Sequence, residues 1–423
     1  MDLLADLEFR GQLHQLTDPA GLREHLATPR RVYAGFDPTK DSLTIGNLVQ
    51  ILLLRRFQQA GHTPIVVTGG GTGMIGDPSG KEAERQILTP EQVALNVAGQ
   101  RVIYERLLSF EGPNAAQILN NADWLGKLGF LEALRDIGKH FSVNMMIQKD
   151  SVRERLNNRD QGISYTEFSY MLLQAYDFAY LMQHHGVTVQ SSGSDQWGNI
   201  VAGIDLIRRT QHKEAFGLTT PLVTKADGGK FGKTEAGAVW LTAERTSPYA
   251  FYQFWVNAAD ADVPKFLRTF TFFSHERILE LEAEHAQNPG ARTAHKALAQ
   301  HLTELLHGPE GLAQAQKTTE ALFSGNVAEL SQASIADLFG NAPTATLSKE
   351  KLAGDGYLAV DLLVDGGVVK SKREAREFLS NGAILVNGRT PGAESRIAED
   401  WLLHDGVLLI RRGKKHWYVA RFG

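Results

Sequence analysis

A strand that runs into a glycine turn and a helix, with a second strand close behind, restricts this chain to a small set of folds. Val32-Tyr33-Ala34-Gly35-Phe36 is an apolar run of strand length, followed by the polar turn Asp37-Pro38-Thr39. A helical run extends from Leu48 through Phe57 and stops at Gly61, and Pro64-Ile65-Val66-Val67-Thr68 reads as the next strand, closed by Gly69-Gly70-Gly71. Strand, helix and strand at this spacing predict a parallel βαβ unit. Val187-Thr188-Val189-Gln190 reads as a further strand opening into Ser191-Ser192-Gly193-Ser194-Asp195. In open parallel sheets ligands lie beyond the carboxyl ends of strands, where strand order reverses, so both glycine-rich turns are expected on the ligand side.

The first turn leads through Thr44-Ile45-Gly46-Asn47 into a helix N-terminus, where free N–H groups and the helix dipole favour a phosphate. Alone it is only moderately specific, because a glycine at a strand end can simply permit a bend. Neither GxxxxGK[ST] nor GxGxxG is present. A second segment, Lys230-Phe231-Gly232-Lys233-Thr234, carries two lysines on a glycine hinge after Asp227-Gly228-Gly229. A lone basic glycine loop reads as a mobile surface loop. Paired with the first turn it suits a polyphosphate held from opposite sides, since lysines can close on charge that develops in phosphoryl-type transfer.

Between these segments the helix expected around Thr166 to Phe178 places Tyr170, Gln174 and Asp177 at i, i+4 and i+7, a single polar stripe on an otherwise apolar helix. A carboxylate there needs a polar partner, so the stripe is expected to line a pocket for a polar ligand rather than face water. Gln196 offers that pocket another amide, and Asp195 suits a ribose hydroxyl.

The 423 residues suggest two or three domains. After Pro248 the sequence turns helical and aromatic, a linker is expected over 333–347, and a small domain follows it. There Ser371-Lys372-Arg373-Glu374 forms a capping box, and Asn387-Gly388 a hairpin turn. Arg373 and Arg376 share a helix face beside Lys372, and Arg411, Arg412, Lys414 and Lys415 flank Gly413 in a second hairpin. The segment from Ser348 carries 13 Lys and Arg against 10 Asp and Glu, while the rest carries 31 against 38, so only the tail leans basic. Zero cysteines exclude disulfides and thiolate metal sites, the 14 histidines form no HExxH-like pairing, and no protein-bound metal is expected. The amino-terminal residues do not resemble a leader, and no stretch of 18 apolar residues occurs, so a cytoplasmic protein with no membrane partner is expected.

With these residues in view the chain resembles the bacterial tyrosyl-tRNA synthetases, class I aminoacyl-tRNA synthetases, over essentially its whole length. The likeness rests on Tyr33-Ala34-Gly35-Phe36-Asp37-Pro38-Thr39, Ile75-Gly76-Asp77-Pro78-Ser79-Gly80, Gly138-Lys139-His140-Phe141-Ser142-Val143-Asn144, Thr166-Glu167-Phe168-Ser169-Tyr170, Gln174-Ala175-Tyr176-Asp177-Phe178 and Gly193-Ser194-Asp195-Gln196-Trp197-Gly198-Asn199. It implies an α/β fold: a Rossmann-like parallel-sheet catalytic domain (1–222), a lysine-loop segment similar to the KMSKS signature (223–247), an α-helical tRNA-binding domain (248–332), the linker, and a small α+β RNA-binding domain of ribosomal-protein type (348–423). The implied reaction joins L-tyrosine to ATP as tyrosyl-adenylate, releasing pyrophosphate, and then passes tyrosine to the 3′ end of tRNA(Tyr). Mg2+ would arrive with ATP, and the family works as a homodimer.

By the same resemblance Tyr33 and Asp177 would bind the substrate phenol, while Asp77, Tyr170, Gln174 and Gln196 would hold its ammonium and carboxylate end. Tyrosyl-tRNA synthetases are themselves the standard example of a pocket that rejects the analogue lacking a hydroxyl. The nucleotide side would comprise Gly35, Asp37, Thr39, Thr44, Gly46, Asn47, Gly193, Asp195, Leu222 and Val223, with Lys81, Arg85, Lys230, Lys233 and Thr234 toward the pyrophosphate. Arg208 and Arg209 match a pair that meets the acceptor stem, and Lys372, Arg373, Arg376, Arg411, Arg412, Lys414 and Lys415 become expected RNA contacts. The signature His-Ile-Gly-His is here Thr44-Ile45-Gly46-Asn47, which replaces an imidazole donor by a single hydroxyl. Losing such a donor costs roughly 3 kcal/mol in a transition state when nothing replaces it.

Overall fold

The computed structural model describes residues 2–78, 88–157, 162–226, 228–229, 231–234, 237–340, 342–404, 406–413 and 416–423, with only the backbone of Lys233 and Thr234 described. It divides into two units, one holding residues 1–246 and 250–308 and the other 247–249 and 309–423.

The first unit is built on six strands: β1 (Gln15–Leu16), β2 (Arg31–Phe36), β3 (Thr63–Thr68), β4 (Gln117–Asn120), β5 (Val187–Gly193) and β6 (Phe216–Thr220), ordered β1-β6-β5-β2-β3-β4. β2 pairs parallel with both β3 and β5, and only β1 runs antiparallel to its neighbour. The chain proceeds outward from β2 through β3 to β4 and returns to the other side of β2 as β5, so strand order reverses between β2 and β5. Ligand crevices in such sheets form at that point, beyond Phe36 and Gly193.

Helix Ile45–Gln59 buries Leu48, Val49, Ile51, Leu52, Leu53, Leu54 and Phe57, and a helix apolar on most sides belongs inside the unit. Helix Tyr165–His185 starts on Ser164, whose hydroxyl accepts from Glu167 N at 3.2 Å, and ends on Gly186 at φ +63°, a left-handed position that suits glycine. It packs with helix Trp197–Gln211 on the sheet, and Ala175, Phe178, Leu181 and Met182 share one core with Tyr33, Ile65 and Val67. The short pair β7 (Lys233–Thr234) and β8 (Gly237–Ala238) forms the lysine-loop hairpin.

The second unit begins where the helical stretch Thr293–Ser324 breaks, at Gly308 before Pro309. Its four-stranded sheet is formed by β9 (Thr344–Leu347), β11 (Ile384–Val386), β13 (Val407–Arg412) and β14 (His416–Phe422), in the order β11-β13-β14-β9, and β10 (Tyr357–Leu358) pairs separately with β12 (Arg396–Ile397). Period-two alternation serves two cores: Leu408, Ile410 and Ala420 meet Leu363 and Leu379 on one face, while Val407, Leu409 and Val419 meet Ile335 and Phe339 on the other. The linker expected over 333–347 is therefore structured. Helix Gln332–Phe339 covers the second face, and β9 pairs parallel with β14. Turn-like composition around Pro343 conceals an apolar pair, Ile335 and Phe339, at i and i+4.

Candidate active site

At the carboxyl end of β2 the chain turns at Asp37, whose carboxylate accepts from Thr72 Oγ1 at 2.9 Å and from the Tyr170 hydroxyl at 3.1 Å. A Cβ on Gly69 would collide with that carboxylate, which is why the turn after β3 needs a glycine there. Thr72 Oγ1 also accepts from Asn121 Nδ2 at 3.0 Å, and the same amide donates to Asp177 Oδ2 at 2.9 Å. A hydrogen-bonded chain thus runs from Tyr170 through Asp37, Thr72 and Asn121 to Asp177.

Asp177 is 5% exposed. Burial raises its carboxyl to about 7, against the downward pull of the Asn121 and Trp124 hydrogen bonds and with a smaller upward push from Asp37. On β2, Tyr33 is 2% exposed, and its hydroxyl is buried without a hydrogen-bond partner among the described residues. Burial, then the neighbouring Asp177 charge, raises its phenol well above the usual range. A buried hydroxyl lacking a partner beside a buried carboxylate is unfavourable in an empty pocket, and both groups are served by one more hydroxyl between them.

A second network closes the other end. Gln196 Nε2 donates to Asp77 Oδ2 at 2.7 Å and to Asp195 Oδ2 at 3.2 Å, while Asn199 Nδ2 donates to Gln174 Oε1 at 3.0 Å and to Gln196 Oε1 at 2.9 Å. Carboxylates and amide oxygens gathered at one end suit an ammonium. The six residues expected to hold tyrosine therefore fall into two linked networks, with only the Tyr33 hydroxyl outside both.

On the nucleotide side, Thr44 caps helix Ile45–Gln59, and both its N–H and its hydroxyl donate to Asn47 Oδ1, at 3.1 and 3.0 Å. The single hydroxyl that replaces the signature imidazole is thus already engaged. Gly35 and Thr39 are exposed at the turn, and a Cβ on Gly35 would meet nothing within 4 Å. Beyond β5, Asp195 and Leu222 are exposed, with Leu222 beside Gly193 and Val223 half-buried after it.

The lysine segment reaches this helix terminus through its backbone. Gly232, at φ +83°, lies against Ile45 and Gly46; Val239 N donates to Gly232 O at 3.0 Å, Ile45 N to Val239 O at 3.2 Å, and Leu241 N to Leu43 O at 2.9 Å. The two segments expected to face each other across a polyphosphate are joined at their bases. Phe231 sits among the rings of Phe254, Trp255, Phe266 and Phe270, with centroids 4.7 to 5.8 Å away. Lys81, Arg85 and Lys230 lie outside the described residues, as do the side chains of Lys233 and Thr234.

Arg208 and Arg209 are on the exposed surface of helix Trp197–Gln211, each paired with Asp205, at 2.5 and 2.6 Å. In the second unit Lys372 pairs with Asp361 at 2.7 Å, and Arg373 and Arg376 are exposed on the same helix. Arg411 and Arg412 do not form one basic patch. Consecutive strand residues face opposite ways: Arg411 lies over Trp417 and donates to Leu322 O, while Arg412 lies over Tyr418 and Phe378 and donates to Val368 O. Lys414 and Lys415 lie outside the described residues.

Sequence reading did not assign roles to Thr72, Asn121, Trp124 and Asn199, which tie the site together. Asn121 and Trp124 directly follow the strand β4, and placing that strand beside β3 is the signal that would have found them.

Residues 26–324 match the family described as tRNA synthetases class I (W and Y), and residues 334–420 match the tyrosine–tRNA ligase SYY-like C-terminal domain. Tyrosine–tRNA ligase 1 of Bacillus cereus is 52% identical over 100% of both chains, and the tyrosine–tRNA ligase of Roseiflexus castenholzii is 50% identical over 99% of both. Among solved structures, a C-terminally truncated mitochondrial tyrosyl-tRNA synthetase of Coccidioides posadasii is 32% identical, with a TM-score of 0.65 over 75% of this chain and 91% of its own.

Proposed function

The chain belongs to the class I tRNA synthetases, as a tyrosine–tRNA ligase, and from that premise we propose how its residues divide the two-step reaction. The phenol of L-tyrosine lies between the Tyr33 hydroxyl and the Asp177 carboxylate, and Asp77, Tyr170, Gln174 and Gln196 hold the ammonium and carboxylate end. A carboxylate oxygen of tyrosine attacks the α-phosphorus of ATP. The bond from that phosphorus to the bridging oxygen breaks, and its electrons leave with pyrophosphate. The 3′-terminal ribose of the tRNA then attacks the activated carbonyl, and AMP departs.

No protein nucleophile is needed for the first step, so positioning and charge stabilisation carry it. Gly35, Asp37, Thr39 and the Thr44-Ile45-Gly46-Asn47 helix terminus face ATP with Gly193, Asp195, Leu222 and Val223. Lys81, Arg85, Lys230, Lys233 and Thr234 neutralise the departing pyrophosphate, and Mg2+ enters with ATP as part of the substrate. Residues 1–222 and 223–247 would serve activation, and the helical region and residues 348–423 would serve tRNA(Tyr), with Arg208 and Arg209 at the acceptor stem and Lys372, Arg373 and Arg376 on the distal surface.

A homodimer is supported by an apolar surface containing Phe130, Leu131, Leu134, Val143, Met145 and Ile147, each 42–79% exposed. We place the enzyme in the cytoplasm. Among the described residues no helix is long and apolar enough to cross a membrane.

The observation that carries the tyrosine assignment is the buried, partnerless Tyr33 hydroxyl in the Asp177 pocket. Tyrosine-dependent exchange of pyrophosphate into ATP tests it. Exchange with tyrosine but not phenylalanine is expected, and exchange supported equally by phenylalanine overturns the pocket assignment.

A further inference from the structure

Three groups that tyrosine activation does not use converge in the helical part of the first unit. Asp260 lies between helices Pro248–Val256 and Val263–Phe270, His285 in the last turns of helix His275–Gln287, and His295 in the first turn after Thr293. Each offers one donor atom, and the three atoms lie within 4.8 Å of one another; among the described residues no other such trio occurs. His295 is fully buried and His285 8% exposed, whereas the Asp260 side chain is 58% exposed, so the cluster has one open side.

The contacts resemble a coordination shell. His295 Nε2 lies 3.2 Å from Asp260 Oδ1, close to the separation of roughly 3.3 Å between two ligands that each sit about 2.0–2.1 Å from a tetrahedral ion. His285 Nε2 lies 2.9 Å from the backbone oxygen of the same Asp260, and the rings meet edge to face at 5.2 Å. Hydrogen bonding alone is the plainer account, with His285 donating to Asp260 O and His295 to Ala258 O at 3.2 Å. It satisfies one nitrogen per ring, and Nδ1 of both imidazoles is buried with no partner. Two adjacent half-satisfied imidazoles call for a further reason to be there.

We propose that Asp260, His285 and His295 bind a divalent transition-metal ion of the zinc class, with water completing the shell on the exposed side of Asp260. Two imidazoles and one carboxylate favour such an ion over Mg2+ or Ca2+, which prefer all-oxygen sites. Burial first, then the adjacent Arg292 charge, lowers the His295 pKa, so its ring is neutral and in ligand form at neutral pH. The Arg292 guanidinium is turned to the Val256 carbonyl, and Asp260 supplies the opposing charge.

The ion would staple three successive elements beneath the lysine loop. Two residues after Asp260, the Asp262 carboxylate accepts from Ala226 N at 2.7 Å, and Lys265 Nζ donates to Thr224 O at 3.1 Å. The ligand spacing of 25 and 10 residues matches no compact sequence motif, so only the fold reveals the site.

The test is a Zn2+ titration of the metal-stripped full-length protein against a chromophoric chelator, repeated with Co2+ to read its ligand-field absorption. One ion per chain is expected. Asp260→Ala, at an exposed position, should weaken binding at least tenfold while leaving pyrophosphate exchange unchanged, and His285→Gln should abolish the Co2+ spectrum. Failure to bind Zn2+, or binding that survives Asp260→Ala at full strength, overturns the site.

Discussion

The indole N–H of Trp124 donates to Asp177 Oδ1 at 2.7 Å, on a carboxylate that burial has raised to about 7. Asn121 holds the other oxygen, so the carboxyl group is fixed in place while its charge remains costly. Relative to the unfolded chain, the stability linked to protonated Asp177 is full below about 3.8 and is lost as pH rises through about 7. The empty pocket is therefore least comfortable at alkaline pH, where the phenol of tyrosine supplies a donor.

Tyrosine binding should follow that titration. As pH falls from 8 to 6, protonation removes the charged acceptor, and KM for tyrosine in pyrophosphate exchange should rise by up to about tenfold per pH unit below 7, with KM for ATP flat. A tyrosine KM that does not change across this range would sink the role of Asp177 as phenol acceptor.

A second buried carboxylate has the opposite sign. Asp6 accepts from Arg10 Nε at 2.8 Å and His275 Nε2 at 2.7 Å, with Arg56 at 3.7 Å. Burial pushes its pKa up, but the His275 and Arg10 hydrogen bonds and the Arg10 and Arg56 charges outweigh it and lower the carboxyl below 3.8. Its stabilisation is present above about 3.8 and is lost as pH falls through the lower folded value. Asp6→Ala strands two buried guanidiniums and should cost about 3–5 kcal/mol at pH 7, read by chemical denaturation. A loss under 1 kcal/mol would contradict this account.

Phe231 connects the lysine loop to the aromatic core of the helical region. Phe231→Ala removes that anchor between Lys230 and Lys233, and displacement of charge-stabilising groups by about 1 Å can cost on the order of 10²-fold. The rate constant of adenylate formation should fall by roughly that factor in single-turnover measurements, while tyrosine Kd stays unchanged. Equal losses in both would identify Phe231 as a general packing residue instead.

Strands β2, β3 and β5 were legible because apolar runs of strand length ended in glycine turns, and the polar stripe on Tyr165–His185 was legible because helical spacing aligns Tyr170, Gln174 and Asp177. The supports of the stripe were not. β4 has four half-buried residues and little pattern, so Asn121 and Trp124 had no visible frame, and Thr72 lies in a single 3₁₀ turn. Helix Gln332–Phe339 was concealed by turn-like composition, and the Arg411-Arg412 pair looked like one patch because strand alternation was not applied to it.

Thr44 combines a helix cap with a place in the nucleotide site. Thr44→Ala loses the hydroxyl bond to Asn47, and the helix should be destabilised by about 1 kcal/mol. Thr44→Ser keeps the hydroxyl and should retain both stability and pyrophosphate exchange. If the hydroxyl also serves the leaving phosphate, Thr44→Ala should lower kcat for exchange beyond its effect on ATP KM. An Ala variant as fast as the wild type would reduce Thr44 to a cap.

The second unit separates binding from structure within one pair of substitutions. Arg376 is exposed on helix Lys372–Ser380, so Arg376→Ala should weaken tRNA binding and reduce the salt slope of log K by about 1, with pyrophosphate exchange intact. Arg411 instead lies over Trp417 and bonds to Leu322 O, so Arg411→Ala should lower the melting temperature. Filter-binding titrations across salt concentrations, alongside thermal melts, distinguish the two. A salt slope unchanged in Arg376→Ala would remove this helix face from the tRNA interface.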